Sequence, residues 1–166
     1  MKTHLRKAIV MSIVAIFVVL SNLSYASAAE YEAMKRDNSV KVFFDMRDGI
    51  PKIAAVHTKL INDTYNQLTG MGKKPVFTVV FIASAVKLLS SNRSEFSAEE
   101  LKYLKEIDDN IFEMIKNGIN LEVCLAAVDY FKVDPASIPP EIKQVANGWI
   151  SEIGYQAKGY TLVPVY

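Results

Sequence analysis

The chain predicts an α/β fold: a single domain built on a mainly parallel, five-stranded sheet with helices on both faces. Three observations predict it. Short apolar runs alternate with longer segments of helical periodicity, the mark of βαβ units joined by right-handed crossovers. One run, residues 76–83 (VFTVVFIA), is hydrophobic almost without alternation, as in a strand covered on both faces. The patterned region is about 125 residues long, the size of one core, with no internal repeat and no low-complexity tract.

Residues 40–46 (VKVFFDM) are apolar and aromatic and end near Asp45 and Gly49, so they read as a buried strand. Gly49, Ile50 and Pro51 open a helix over 52–69, since proline is tolerated in the first turn. Ile53, Val56, Leu60, Ile61 and Leu68 form its expected buried stripe, and Gly70 is the expected C-cap. After the second strand, SAVKLLSS makes a short helical turn. In 97–118, Ser97 and Glu100 fit a capping box and Gly118 fits the C′ position. Leu101, Leu104, Ile107, Ile111, Met114 and Ile115 supply the apolar stripe of this helix.

Residues 119–124 (INLEVC) are the third strand, and LAAVDYF starts the next helix. DPASIPPEI is a proline-punctuated loop, and QVANGW holds a short fourth strand. WISEIGYQAKG is a helix closed by Gly159, and YTLVPV is a terminal strand whose Pro164 places it near an edge. The order β-α-β-α-β-α-β-α-β fits a flavodoxin-like size class.

Residues 1–28 read as a cleaved signal peptide. Lys2, Arg6 and Lys7 precede an apolar run over 8–20, and Ala26 to Ala28 (ASA) form an A-x-A site. This run of thirteen residues falls short of the roughly 20 that span a bilayer. The expected product is periplasmic or secreted, with no membrane span after cleavage; an uncleaved anchor is the alternative. Residues 29–39 are then a flexible leader and 40–166 the α/β domain.

The chain has 19 Lys+Arg and 18 Asp+Glu. Removing the three basic residues of the signal leaves 16 against 18, a net charge of −2. Its cations are scattered, with no basic stripe to follow a phosphate backbone, so nucleic acid is not an expected partner. One histidine, His57, and one cysteine, Cys124, remain after residue 28. Neither a zinc site nor any other cofactor is expected from that inventory, and an intramolecular disulfide is impossible. A lone thiol in an oxidising compartment is buried and inert, paired between chains, or reactive.

Functional groups in open α/β sheets lie beyond the carboxyl ends of the strands. Three such ends are legible: Asp45, Ser84 and Cys124. Cys124 ends a strand and begins a helical turn, where the helix N-terminus and the unpaired N–H groups of LAA favour a thiolate. Against this stands the habit of free cysteines to be small buried hydrophobes. Asp45 is a general base or a cap for the following helix. Ser84 lacks a G-x-S-x-G context, and only His57 could serve it, which excludes a hydrolase triad. His57 itself is expected to be partly buried and satisfied. Gly70-Met71-Gly72 follows a helix and is no dinucleotide fingerprint. Asn147, Gly148 and Trp149 form a turn into a helix, with the indole as packing. A glycosylation acceptor at Asn62 falls within a helix and is set aside.

From Val40 to Val165 the segments VKVFFDM, VVFIASAVKLL, NGINLEVCLAA and QAKGYTLVPV together resemble the DsrE/DsrF-like family. That resemblance implies a parallel α/β fold, assembly as a homotrimer or hexamer, and a sulfur-relay role with protein donors and acceptors. The persulfide-carrying cysteine of relay members falls on Cys124. Where those members continue into an arginine pair and a glycine, this chain reads VDYFKVD, so the resemblance supplies no cation beside the sulfur. Two functions follow as expectations. One is an exported sulfur carrier or thiol-redox protein using Cys124. The alternative is a non-catalytic oligomeric module that binds a ligand or partner at the strand ends and keeps Cys124 for packing.

Overall fold

The computed structural model describes residues 31–35 and 38–166. The expected signal segment, 1–28, lies outside the described residues. The chain divides into two compact units, Met1–Arg36 and Asp37–Tyr166. The described part of the first carries one 3-10 turn at Glu32–Met34, within the expected leader. Among the described residues no helix is long and apolar enough to cross a membrane.

The second unit holds five strands: β1 Ser39–Met46, β2 Lys74–Phe81, β3 Asn120–Cys124, β4 Lys143–Val145 and β5 Thr161–Val165. Its helices are α1 Pro51–Gly70, α2 Ala98–Lys116, α3 Leu125–Tyr130 and α4 Gly148–Ala157, with a 3-10 segment at Ala83–Leu89. All strand pairs are parallel, in the order β4-β3-β2-β1-β5. The chain therefore walks from β1 to β4 in succession, and β5 then returns to the far side of β1. Right-handed crossovers put α1, α2 and α3 on one face and α4 on the other. Ring contacts agree: Tyr65 of α1 meets Phe77, which meets Phe44, whereas Tyr155 of α4 stacks on Phe43, one residue earlier in β1.

Local chemistry accounts for most element ends. Ser97 accepts from the Glu100 amide, and the Glu100 carboxylate accepts from the Ser97 amide, completing the capping box of α2. Gly118 and Gly159 take the left-handed conformation after α2 and α4, at φ 73° and 78°. Helix α1 runs through Gly70, and the left-handed residue is Gly72 rather than the expected Gly70.

The buried stripe of α1 differs from the expected one. Ala54, Ala55, Thr58, Ile61, Asn62 and Leu68 are buried, while Ile53, Val56 and Leu60 are exposed. The small residues let α1 lie close against α2, and polar side chains select that face. Asn62 donates to the Asn110 carbonyl at 2.9 Å, and Asn110 donates to Thr58 Oγ1 at 3.0 Å. Leu101 of α2 is also exposed.

Helix α4 is turned inside out. Gly148, Ser151, Glu152 and Tyr155 are buried or half-buried, while Trp149, Ile150 and Ile153 are exposed at 61 %, 68 % and 66 %. The cause lies in the sheet beneath it, which buries Asp45, Thr78, Glu122 and Cys124. A helix covering polar groups must bring its own polar side chains inward, or those groups go unpaired.

Candidate functional site

The register brings three strand ends into one row. Met46 stands opposite Phe81 and Phe81 opposite Val123, so the following residues, Arg47, Ile82 and Cys124, share the next row. The Ile82 amide donates to the Met46 carbonyl at 2.9 Å and carries the ladder to that point. Two strand spacings separate the Arg47 and Cys124 backbones, about 10 Å.

Strand β3 leaves toward α3 on one face, and β4 leaves toward α4 on the other. That reversal is the switch point of the sheet, where a crevice opens beyond the strand ends. Cys124 stands on one side of it and Asn147 on the other. A cavity of about 560 Å³ opens here, lined by Arg47, Ile82, Cys124, Phe131, Asn147 and Trp149, with Tyr130 at its rim. Trp149 and Tyr130 are largely exposed, so the indole borders this cavity instead of packing in the core as expected.

Cys124 is the N-cap of α3, a free thiol only 4 % exposed. The N–H groups of LAA were expected to face the sulfur unpaired, but the Ala126 amide donates to the Ala146 carbonyl at 3.2 Å. A second helix start does reach the site. A Cβ on Gly148 would stand 3.1 Å from Cys124 Cβ and 2.8 Å from Ile82 Cδ1. Only a glycine there lets the N-terminus of α4 rest on the cysteine. Asn147 caps that helix, accepting from the Trp149 amide at 3.0 Å.

Ser84 has a supporting role in this geometry. Its hydroxyl donates to the Arg47 carbonyl at 3.2 Å, tying the loop after β1 to the turn after β2. The preceding Ala83 is held at φ 52°, a strained conformation for a residue with a Cβ, and it borders the cavity.

Asp45 is not the cap of α1. That position belongs to Ile50, whose amide donates to Asp48 Oδ1 at 2.8 Å. Asp45 instead accepts from Arg47 Nε at 2.6 Å, and Arg47 Nη2 reaches Glu152 Oε1 at 3.4 Å. Burial, then the neighbouring Asp45 charge, push the Glu152 carboxyl up to about 7, against the opposing effect of Arg47. The hydrogen bond to Asp45 raises the Arg47 guanidinium further. The motif after Cys124 lacks a cation, but Arg47, the residue after β1, lines the same cavity.

Arg47, Glu152 and Gly148 were missed by the sequence reading. Two signals pointed at them: Arg47 follows Asp45 by two residues, hence the same strand side, and Glu152 follows Gly148 by four, hence the same helix side.

His57 is separate from all of this. It stands on α1, beside a cavity of about 290 Å³ lined by Phe44, Leu60, Val163 and Tyr166 on the other face of the sheet. No Cys124–His57 pair forms. Its Nδ1 is buried and has no hydrogen-bond partner among the described residues, so the imidazole is not satisfied as expected. Among the described residues no cluster of three or more His, Cys, Asp or Glu could hold a metal ion.

An uncharacterised protein of Aquifex aeolicus is 24 % identical over 163 residues, covering 98 % of this chain and 67 % of its own. Two solved structures of proteins of unknown function match the fold. One, from Methanobacterium thermoautotrophicum, has a TM-score of 0.52 at 15 % identity, over 77 % of this chain and 99 % of its own. The other, from Bacteroides thetaiotaomicron, has a TM-score of 0.51 at 16 % identity, over 77 % and 95 %. The model of the DsrE/DsrF-like family matches residues 15–165. With that match spanning nearly the whole sequence, and with a parallel five-stranded sheet beneath it, the chain belongs to the DsrE/DsrF-like family.

Proposed function

We propose that this protein is a sulfur carrier or thiol-redox protein that works through Cys124. The observation that carries the reading is the position of the lone thiol at the switch-point crevice, in a cavity it shares with Arg47. The start of α4 adds the positive end of a helix dipole beside the sulfur.

Loading is a thiol exchange. The Cys124 thiolate attacks the terminal sulfur of a donor persulfide, the donor S–S bond breaks, and the donor leaves as a thiolate with the electron pair. An acceptor thiolate takes the sulfur in the same way, so no outside oxidant or reductant is consumed. The aromatic rim of Trp149 and Tyr130 offers a docking surface for a protein donor.

The test is the intact mass of the protein before and after treatment with a persulfide donor, beside Cys124→Ser. The expected result is a gain of one sulfur atom that reductant reverses and the variant lacks. No gain, with a thiol that reacts only after denaturation, would end the carrier reading. Spectra of protein recovered from cells expressing the full chain also read whether residues 1–28 are removed, as export through a cleaved signal requires.

A second reading rests on the 4 % exposure of Cys124: a non-catalytic module in which the cysteine packs and partners bind at the strand ends. Under it, Cys124→Ala leaves assembly and biological activity unchanged. Both readings take the protein to be a homo-oligomer, supported by the outward Ile150 and Ile153 of α4. Ile150→Lys with Ile153→Lys is expected to weaken self-association at least about 100-fold, roughly 3 kcal/mol. Light scattering after size-exclusion reads it. A wild-type monomer, or an unchanged mass in the variant, contradicts this placement of the interface.

A further inference from the structure

The cation that shares the cavity of Cys124 is already engaged. Arg47 Nε donates to Asp45 Oδ2 at 2.6 Å, and Nη2 reaches Glu152 Oε1 at the longer distance of 3.4 Å. Both carboxyl groups are withdrawn from water: Asp45 is 5 % exposed and the Glu152 side chain 13 %. Asp45 Oδ1 is buried and accepts no hydrogen bond from any described donor. An ionised carboxylate left in that state is costly. Glu152 holds the same guanidinium from its other end, and a proton on its carboxyl would offer Oδ1 the donor it lacks.

We propose that the Glu152 carboxyl holds a proton beside Asp45 and Arg47, and that this proton sets how much of the Arg47 charge reaches the sulfur of Cys124. Glu152 is then a positioning residue for the cysteine chemistry. Its purpose rests on the carrier reading above; the proton on Glu152 does not.

With the proton in place, one carboxylate holds Arg47 through Nε. The Arg47 charge is then left uncancelled by Glu152 in the cavity it shares with Cys124. When the proton leaves, two carboxylates compete for the same guanidinium and the cluster becomes net negative. A thiolate or persulfide on Cys124 then loses its counter-charge. The groups facing Glu152 are consistent with this assignment. Strand β1 and the residue after it bring Asp45 and Arg47, and β2 brings no titratable side chain at this end. Strand β3 brings Cys124 and Glu122, the latter held by Tyr155, Asn120 and Lys143. Tyr166 at the chain end acts on Arg47. Burial and Asp45 hold the Glu152 carboxyl protonated up to about 7.

The experiment compares the full chain with Glu152→Gln, which keeps the neutral state at every pH. The rate of Cys124 alkylation by iodoacetamide is measured between about pH 5.5 and 8, and ¹³C-carboxyl NMR follows Glu152 in the wild type. At about pH 5.5 the two proteins are expected to react alike, because Glu152 is then protonated. At about pH 8 the variant is expected to react several-fold faster, up to about tenfold for one charge in a partly buried site. The NMR titration is expected to show the Glu152 carboxyl changing near neutrality. Superimposable rate profiles, a thiol unreactive at every pH, or a Glu152 carboxyl that titrates at its ordinary value would each overturn the proposal. Coupled rates without sulfur loading would leave it standing and remove only the carrier reading.

Discussion

Tyr155→Phe is expected to lower stability by about 2–3 kcal/mol at neutral pH, and by less in acid. Glu122 is 3 % exposed beneath α4, and the Tyr155 hydroxyl donates to its Oε1 at 2.8 Å. Asn120 donates to both groups, and Lys143 lies 3.7 Å from the same carboxylate oxygen. Burial alone would raise the Glu122 carboxyl. Hydrogen bonds from Ser151, Tyr155 and Asn120, helped by Lys143, outweigh it and hold the group below its ordinary 4.5. Burial and the Glu122 carboxylate push the Tyr155 phenol up to about 12, so it remains a donor at every working pH.

The direction with pH follows from that sign. A carboxyl depressed in the folded state contributes stability above its unfolded value, and that contribution is lost as pH falls through the folded one. The gap between wild type and Tyr155→Phe should therefore be widest near neutrality and narrow below about pH 4.5. Thermal unfolding at about pH 7 and pH 3.5 reads it, with a difference of roughly 5–10 °C expected at the higher pH. An equal difference at both values would mean that the hydroxyl contributes packing and not a hydrogen bond to a charge.

Gly49→Ala is the second large effect. A Cβ there would stand 2.6 Å from Ser84 Cβ and Oγ and 2.8 Å from the Ser84 carbonyl oxygen. That carbonyl is backbone and cannot rotate aside, so the loop after β1 must move. Overpacking of this kind costs about 1–3 kcal/mol or more. The movement would also strain the Ser84–Arg47 hydrogen bond and loosen Arg47 beside Cys124. Gly154 in α4 is the matched control, since nothing lies within 4 Å of the Cβ it would gain. Gly154→Ala is expected to stabilise by about 0.5–1 kcal/mol, the ordinary gain in a helix interior. Chemical denaturation of both variants checks the pair. A Gly49→Ala protein as stable as wild type would show that the loop does not need this close approach.

Much of the fold was legible in local pattern. The continuous apolar run of β2, the capping box at Ser97 and Glu100, and the glycines closing α2 and α4 are decided by neighbours within a few residues. Cys124 at the end of β3 was legible for the same reason, because a strand followed at once by small helix formers marks its own boundary. The role expected of Asp45 as a cap was not met, since Asp48 was near enough to take the Ile50 amide first.

The choice of faces was not legible. In α1 two stripes share helical spacing, and the Asn62–Asn110–Thr58 hydrogen bonds, made with a helix some 48 residues away, decide which is buried. In α4 the usual rule of apolar inward fails because the sheet face beneath it is itself polar. What the sequence determined is the set of elements, their order and the lone thiol at a strand end. What only the tertiary structure decided is the company of that thiol: Arg47 just after β1, Glu152 from a helix 105 residues later, and the glycine that lets α4 rest on it. Periodicity reports that a side chain faces another element and cannot say which one, because that choice is made by strand order and register across the whole chain.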